Sequence, residues 1–397
     1  MIFMKYLQKP HPLFTACILV GCISLSAASN GLAPEINNLK AEDISYALEA
    51  KLPDLEQAYI STSPTFKGDG IPVGVLGKDG GDKTTVLKYA QEIADGQRGT
   101  TDSLLISQGG KLLFESYFRR GRSNYPHFQM SITKSYTALA IGRAMQMGYI
   151  TMAELDKPIL SFLKDIDREK IVPGADQITL AQAMNMRSGI RIDKVKSREL
   201  MRQRGQLKGQ KQIEAYLTHS ASIASTPRDY KYQGADPAIT MQVLEAIVPG
   251  SAEDFIKEQL LAPLGVSNYS WQTDVSGLPK AGAGSSFTSR DMLKLGSLIL
   301  NEGKYKGTQY IPADFIERAT AALYTNRQGH TYGYFWWGSK IQVDGKVMHC
   351  TTGRGAGGQL IFIIKDLDLV IVTTSHNKGM GKALQTIPSE LIPAFVY

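Results

Sequence analysis

The chain has 397 residues, 43% of them hydrophobic and 20% charged, with a net charge of +7. That length suits one large globular domain or two of ordinary size, and excludes a low-complexity chain or one that needs disulfides to fold. The positive charge does not imply a nucleic-acid partner, because the densest basic stretch, "DKVKSRELMRQRGQLKGQKQ" (193–212), lacks interleaved aromatics and reads as a solvated helical insertion.

The N-terminus carries lysines in "MIFMKYLQKPHP" and then a short apolar core, "LFTACILVGC". This core is too short to span a bilayer and predicts a secretory signal over 1–28. Leu19–Val20–Gly21–Cys22 resembles the bacterial lipobox, which would make Cys22 the lipidated first residue after cleavage. Ordinary cleavage near "SAAS" (26–29) is the alternative, so the expected location is the periplasm, free or held by a lipid anchor. Cys17 and Cys22 lie in this signal and leave Cys350 alone, so the folded domain has no expected disulfide.

Residues 30–80 are weakly patterned, and a helix is predicted over 84–95. "DSLLISQGGKLLFESYFRRG" then places two apolar runs around Gly109–Gly110, a strong hairpin signal. From about 131 to 300 the periodicity is helical. Hydroxyl-to-acid capping arrangements occur at 151–154 and 288–291, and a short amphipathic helix at 178–190 ends near Gly189. The last hundred residues return to strands, with a hairpin about Asp344–Gly345, two strands in "QLIFIIKDLDLVIVTT" and an interrupted terminal helix. Strands at both ends with helices between predict an α+β domain over 30–397. Its antiparallel sheet is split in sequence, about 84–130 and 301–397, around a helical subdomain at about 140–300.

Several motifs fail on their context. Gly353-x-Gly355-x-x-Gly358 fits a dinucleotide fingerprint, but a strand follows it instead of a helix. "GKDGGDKT" (77–84) approaches a phosphate loop, yet Asp82 stands where a glycine is required. No His-Glu-x-x-His or paired-cysteine spacing offers a metal site, and no Gly-x-Ser-x-Gly elbow is present. His127, His349 and His376 are loose candidates for a His-based triad, each read as structural.

Ser131–Ile132–Thr133–Lys134 is the motif that carries chemistry. Near a helix N-terminus, residues i and i+3 share a face, so the amine can approach the hydroxyl. To act as a base the lysine must be neutral, which burial, a neighbouring cation or the helix dipole would favour. Ser161–Phe162–Leu163–Lys164 has the same spacing, but its apolar face and following Asp165 mark it as a chance match.

In order, "MSITKSYTALAIGRAMQMGYI", "ITLAQAMNMRSGI", "YGYFWW" and a Gly-rich turn before "LIFIIKDLDLVIVTTSHN" resemble the class C β-lactamase-related serine hydrolases over roughly 85–380. The resemblance implies a β-lactamase/transpeptidase-like fold with flanking helices. It also implies that Ser131 is the acylated nucleophile, with Lys134 and a tyrosine as proton-transfer partners. "RDYKYQGAD" offers Tyr232 for that tyrosine, with Tyr230 in the place of the preceding aromatic; either is also compatible with a core role.

The family's Tyr-x-Asn has Gly234 in its third place, and its Lys-Thr-Gly is represented by "HCTTGRGAGGQ", with no lysine. Thr352, Gly353, Gly355 and Gly358 are therefore the candidates for the oxyanion and substrate-binding edge, in a register open by one or two residues. These departures lean away from β-lactam hydrolysis and towards an esterase, or an amidase resembling the 6-aminohexanoate-dimer hydrolases. The expected substrate is a small ester or amide, and the chemistry needs no cofactor and no metal. A lipid-anchored protein that has lost turnover and binds cell-wall peptide or a partner protein is the competing reading, and a β-lactamase or D-alanyl peptidase is the second alternative.

Overall fold

The computed structural model describes residues 31–396, apart from 226–227, 327–328 and 344. The predicted signal, Cys22 and Asp344 lie outside the described residues. Among the described residues no helix is long and apolar enough to cross a membrane.

The strands, in chain order, are β1 (Tyr59–Ser61), β2 (Thr101–Gln108), β3 (Lys111–Tyr117), β4 (His127–Phe128), β5 (Ser270–Trp271), β6 (Ser285–Phe287), β7 (Lys304–Tyr305) and β8 (Thr308–Gln309). The C-terminal set is β9 (Tyr324–Thr325), β10 (Thr331–Gly333), β11 (Trp336–Val343), β12 (Lys346–Gly355), β13 (Gln359–Ile364) and β14 (Leu369–Ser375). A nine-stranded sheet has the order β1-β3-β2-β14-β13-β12-β11-β10-β9, and every neighbouring pair is antiparallel. The join of the two halves is β2 against β14, where Ile106 faces Ile371 and Leu105 faces Val372.

Neighbouring residues of a strand point to opposite faces, and here both faces are covered. Leu105 enters the larger core, against the helices that follow Ser131, while Leu104 and Ile106 enter a second core on the other face. That second core is closed by α2 (Lys83–Ala94) and by the terminal helical turns at 383–395. In α2, Asp82 caps the Thr85 N–H, and Val86, Tyr89, Ala90 and Ile93 form the buried stripe. Cys350 lies in this core, where burial pushes its thiol up to about 12.

The segment before α2 is more ordered than its weak patterning suggests. α1 (Tyr46–Glu49) brings Glu49 under β4, where its carboxylate meets His127 Nδ1 at 3.0 Å and accepts the Phe128 N–H at 2.9 Å. The stretch expected to be purely helical also contains a small sheet, β4-β6-β5. Its strands are too short to leave a period-2 signal, and Phe287 is held by ring contacts with Tyr136, Tyr269 and Trp271.

After α2 come α3 (Thr133–Gln146), α4 (Leu180–Met184), α5 (Lys194–Arg202), α6 (Lys211–Thr218) and α7 (Ala235–Ile247). The helix expected to reach Gly189 stops at Met184. The Met184 carbonyl accepts the Phe335 N–H at 3.0 Å, and the Asn185 side chain accepts the Tyr334 N–H at 3.1 Å. The chain turns off the helix axis at Met186, which has φ 58°: its N–H bonds the Ala183 carbonyl at 2.9 Å and the Arg187 N–H bonds the Gln182 carbonyl at 2.8 Å, a local stop to which the segment about 150 residues further along adds partners.

Candidate active site

Ser131 sits in a single 3₁₀ turn, Met130–Ile132, that runs directly into α3. Met130 just before it has φ 50°, a left-handed conformation that a side chain other than glycine adopts only when its surroundings impose it. The surroundings do so here. Gln129 receives a hydrogen bond from Tyr136 at 3.0 Å, donates to the His127 carbonyl at 2.8 Å, and its N–H bonds the Ser285 carbonyl at 2.8 Å. Thr133 donates to the Met130 carbonyl at 2.7 Å.

Lys134 extends along the first turn of α3 and places Nζ 2.9 Å from Ser131 Oγ. Nζ also donates to the Gly282 carbonyl at 2.6 Å. With the side chain 6% exposed and no carboxylate beside it, burial pulls the ammonium down to about 8. A neutral amine keeps both contacts, donating to Gly282 and turning its lone pair to the serine hydroxyl. Gly282 belongs to the small-residue run "AGAGS" (281–285), which lies against α3 through Thr137 on the Ala281 carbonyl and Thr133 on Ser285. Sequence reasoning missed it, because a backbone carbonyl leaves no residue-type signal; the small residues were the only hint.

Tyr232 completes the cluster. Its ring lies 4.8 Å from Lys134 Nζ, and its hydroxyl is within hydrogen-bonding reach of Ser131. One side of the ring is open to solvent (the residue is 41% exposed), yet desolvation is the largest influence on the phenol and holds it above its ordinary value. The loop that carries it is fastened at several points. Lys231 N–H bonds the Met186 carbonyl at 2.9 Å, and Gln233 binds the buried Asp236 carboxylate at 2.5 Å. Tyr230 plays the core role: its ring stacks on Tyr324 at 4.7 Å and meets Tyr332 edge-on at 5.2 Å.

β12 supplies the opposite wall. β11 pairs with it only as far as Thr352, so Gly353, Arg354 and Gly355 pair with β13 and have no strand partner on the β11 side. Gly353 lies over Ile132 and Trp336, and a Cβ at Gly355 would fall 2.3 Å from the Gln129 carbonyl oxygen. Gly358 lies elsewhere, in the β12–β13 turn against Ser375 and Asn377. Thr352 accepts a hydrogen bond from Arg354 Nε at 2.8 Å. The Arg354 guanidinium lies 5.0 Å from the Trp337 ring, itself 6.1 Å from Tyr232, and burial pulls it down to about 10.

The rejected candidates are all placed away from Ser131 Oγ. Ser161 Oγ is buried without a partner while Lys164 is exposed. His127 is committed to Glu49, and His376 to the buried Asp102 at 2.9 Å. His349 lies on β12 opposite Lys340, towards the far end of the strand. Among the described residues no group of His, Cys, Asp and Glu is arranged to hold a metal.

A cavity of about 1100 Å³ opens beside the cluster, with Lys134 and Gly282 in its wall. Part of that wall comes from α5 and the 3₁₀ turn Arg204–Gln206, the stretch read from sequence as a solvated insertion. Leu200 and Leu207 are buried, so the insertion is packed against the domain on one side.

A family model described as Beta-lactamase matches residues 87–388. Among solved structures, a candidate 6-aminohexanoate-dimer hydrolase from Bacillus anthracis is 18% identical, with a TM-score of 0.63 over 89% of this chain and 92% of its own. A class C beta-lactamase is 15% identical, with a TM-score of 0.60 over 79% of this chain and 96% of its own. A D-stereospecific amidohydrolase from Streptomyces sp. is 17% identical, with a TM-score of 0.53 over 78% and 98%. No curated protein sequence matches significantly. The structural matches establish a β-lactamase/transpeptidase-like fold, and the family match covers most of the sequence: the chain belongs to the beta-lactamase family of serine hydrolases.

Proposed function

We propose that the protein hydrolyses a carboxylic ester or a small linear amide through an acyl-enzyme on Ser131. The observation that carries this reading is the buried Lys134 amine 2.9 Å from Ser131 Oγ, held there by the Gly282 carbonyl. Lys134 in its neutral form takes the Ser131 proton as the oxygen attacks the carbonyl carbon. Tyr232, whose phenol stays protonated at neutral pH, delivers a proton to the leaving oxygen or nitrogen and is reprotonated by the Lys134 ammonium. Water then attacks the ester carbon by the reverse sequence, releasing the acid and restoring Ser131. The oxyanion lies between the Ser131 N–H and a backbone N–H of 353–355, the part of β12 without a β11 partner.

The absence of a lysine from Thr351–Thr352–Gly353 supports an ester or linear amide over a β-lactam. The likeness to the Bacillus anthracis protein points the same way. A fluorophosphonate probe tests the nucleophile: wild type labels and Ser131→Ala does not, and equal labelling of both would refute the assignment. Nitrophenyl esters, small linear amides and a chromogenic cephalosporin compared side by side test the substrate class. Rapid cephalosporin turnover would replace the esterase reading by a β-lactamase one, and labelling without turnover of any substrate would favour a binding protein.

A further inference from the structure

The cavity beside Lys134 has an uneven charge. Arg204, Lys208, Lys231 and Lys280 line it, and none forms an ion pair with a described carboxylate. The one acid in its wall, Asp274, is already engaged: Gln212 donates to one oxygen at 3.0 Å, and the Ser276 N–H and hydroxyl donate to the other at 2.8 and 2.6 Å. Between the cations the wall is apolar, with Ile190, Ile192, Leu200 and Val275.

The rim is built. The Gly209 N–H bonds the Ser276 carbonyl at 2.9 Å, and Gln242 of α7 donates to the Gly209 carbonyl at 2.9 Å. These contacts clamp Gly209 between the 273–276 loop and α7, which fixes the backbone beside Lys208 at the cavity's edge, with Arg204 four residues earlier on the same rim. Like charges gathered around a concave apolar wall raise the local concentration of anions and leave the cations without an internal counter-charge. A cavity of about 1100 Å³ is also far larger than an acetyl or similar small group requires.

We infer that the half of the substrate seated in this cavity is an extended apolar chain ending in an oxyanion, which Arg204, Lys208, Lys231 and Lys280 bind while the scissile carbonyl lies at Ser131. The inference rests on Ser131 being the reacting centre. It adds a substrate class: half-esters or amides of long dicarboxylic acids, or the corresponding phosphorylated chains.

The test uses the Ser131→Ala protein, so that binding is read without turnover. Monomethyl suberate carries a carboxylate at its far end, dimethyl suberate is its neutral counterpart, and methyl 8-(phosphonooxy)octanoate carries a phosphate there. By calorimetry at low salt, at least one anionic ligand binds about tenfold or more tightly than dimethyl suberate, and the better of the two identifies the oxyanion. The preference shrinks as salt is raised towards 1 M, where the screening length falls to about 3 Å. Adding Arg204→Glu and Lys208→Glu removes most of the preference. Lys88→Glu with Lys164→Glu, the same charge change at exposed sites elsewhere, keeps it. Near-ultraviolet circular dichroism checks that each variant is folded. Equal binding of charged and neutral ligands, no binding of either, or a preference that survives the rim substitutions would overturn the inference. Failure of fluorophosphonate labelling at Ser131 would instead overturn the catalytic reading, and the binding result stands apart from it.

Discussion

Lys134 Nζ donates to the Gly282 carbonyl at 2.6 Å across 148 residues of chain. That single contact aims the amine. With one N–H taken by a fixed carbonyl, the lone pair of the neutral form is left facing Ser131 Oγ.

The first prediction is a pH profile. Burial pulls Lys134 down to about 8, so the base form is the minor one at pH 7 and dominant at pH 9. Acylation measured by stopped flow with a nitrophenyl ester should rise roughly tenfold per pH unit below that value and level off above it. Lys134→Ala should lose the step and about 10²–10⁴-fold in rate. Tyr232→Phe should retain the rising limb while slowing leaving-group departure, most for amides, whose nitrogen must be protonated. A flat profile from pH 6 to 9 would remove Lys134 from the role of base.

A second prediction concerns stability. The folded state holds the Lys134 ammonium less well than the unfolded chain does, so between about 8 and 10.4 unfolding takes up protons. Stability from this group is fully present above the unfolded value and lost as pH falls through about 8. Lys134→Met should therefore be inactive yet more stable than wild type at pH 7, by on the order of 1–3 kcal/mol, with the difference vanishing near pH 10. Urea titrations of both proteins at the two pH values measure this.

Two glycines of β12 should behave differently. A methyl at Gly355 meets a backbone oxygen at 2.3 Å and can be relieved only by moving the strand away from the Ser131 turn. Gly355→Ala should cost about 1–3 kcal/mol, and about 10²-fold in turnover through the displaced wall. At Gly353 the nearest atoms are side-chain carbons of Ile132 and Trp336, at 3.3 and 3.4 Å, which a shift of a few tenths of an ångström accommodates. Gly353→Ala should keep most of the activity. Steady-state kinetics and melting curves of the pair are the check, and equal effects would contradict this placement of the strand.

The fourth prediction is at the buried Glu49–His127 pair, whose histidine lies four residues before Ser131. Burial alone would lower the imidazole, but the hydrogen bond and charge of Glu49 raise it above its ordinary value. The pair therefore contributes fully below about pH 6.5, and its contribution fades as pH rises through the raised value. Glu49→Ala should destabilise by about 3–5 kcal/mol at pH 6. The loss should shrink as pH rises past that raised value, where mainly the Phe128 N–H is left without its acceptor. A loss independent of pH would mean that His127 is neutral throughout.

Much of the fold could be read locally because its signals are local. The Gly109–Gly110 turn and the Thr288 cap each need only a few adjacent residues. Other features depended on distant partners. Residues 31–80 look unpatterned because they fold as single contacts onto the domain: Glu49 to His127, and β1 to β3. The helix after Thr179 ends at a left-handed Met186, a conformation that its residue type does not announce, and the Met184 carbonyl then finds its partner in the distant Phe335 N–H.

The candidate site divides in the same way. The spacing of Ser131 and Lys134 is a property of one helical turn, so four residues of sequence determine that they can meet. Sequence alone leaves Ser161–Lys164 equivalent in spacing. Burial makes the distinction: Lys134 is enclosed and Lys164 is in water, and enclosure is what lowers the Lys134 amine here. The Gly282 carbonyl, the left-handed backbone at Met130, the stacking of Tyr230 on Tyr324 and the cation rim on the cavity are all tertiary. Each depends on where a distant backbone atom or ring comes to rest, and residue types along the chain record the chemistry available without recording the distances at which it is used.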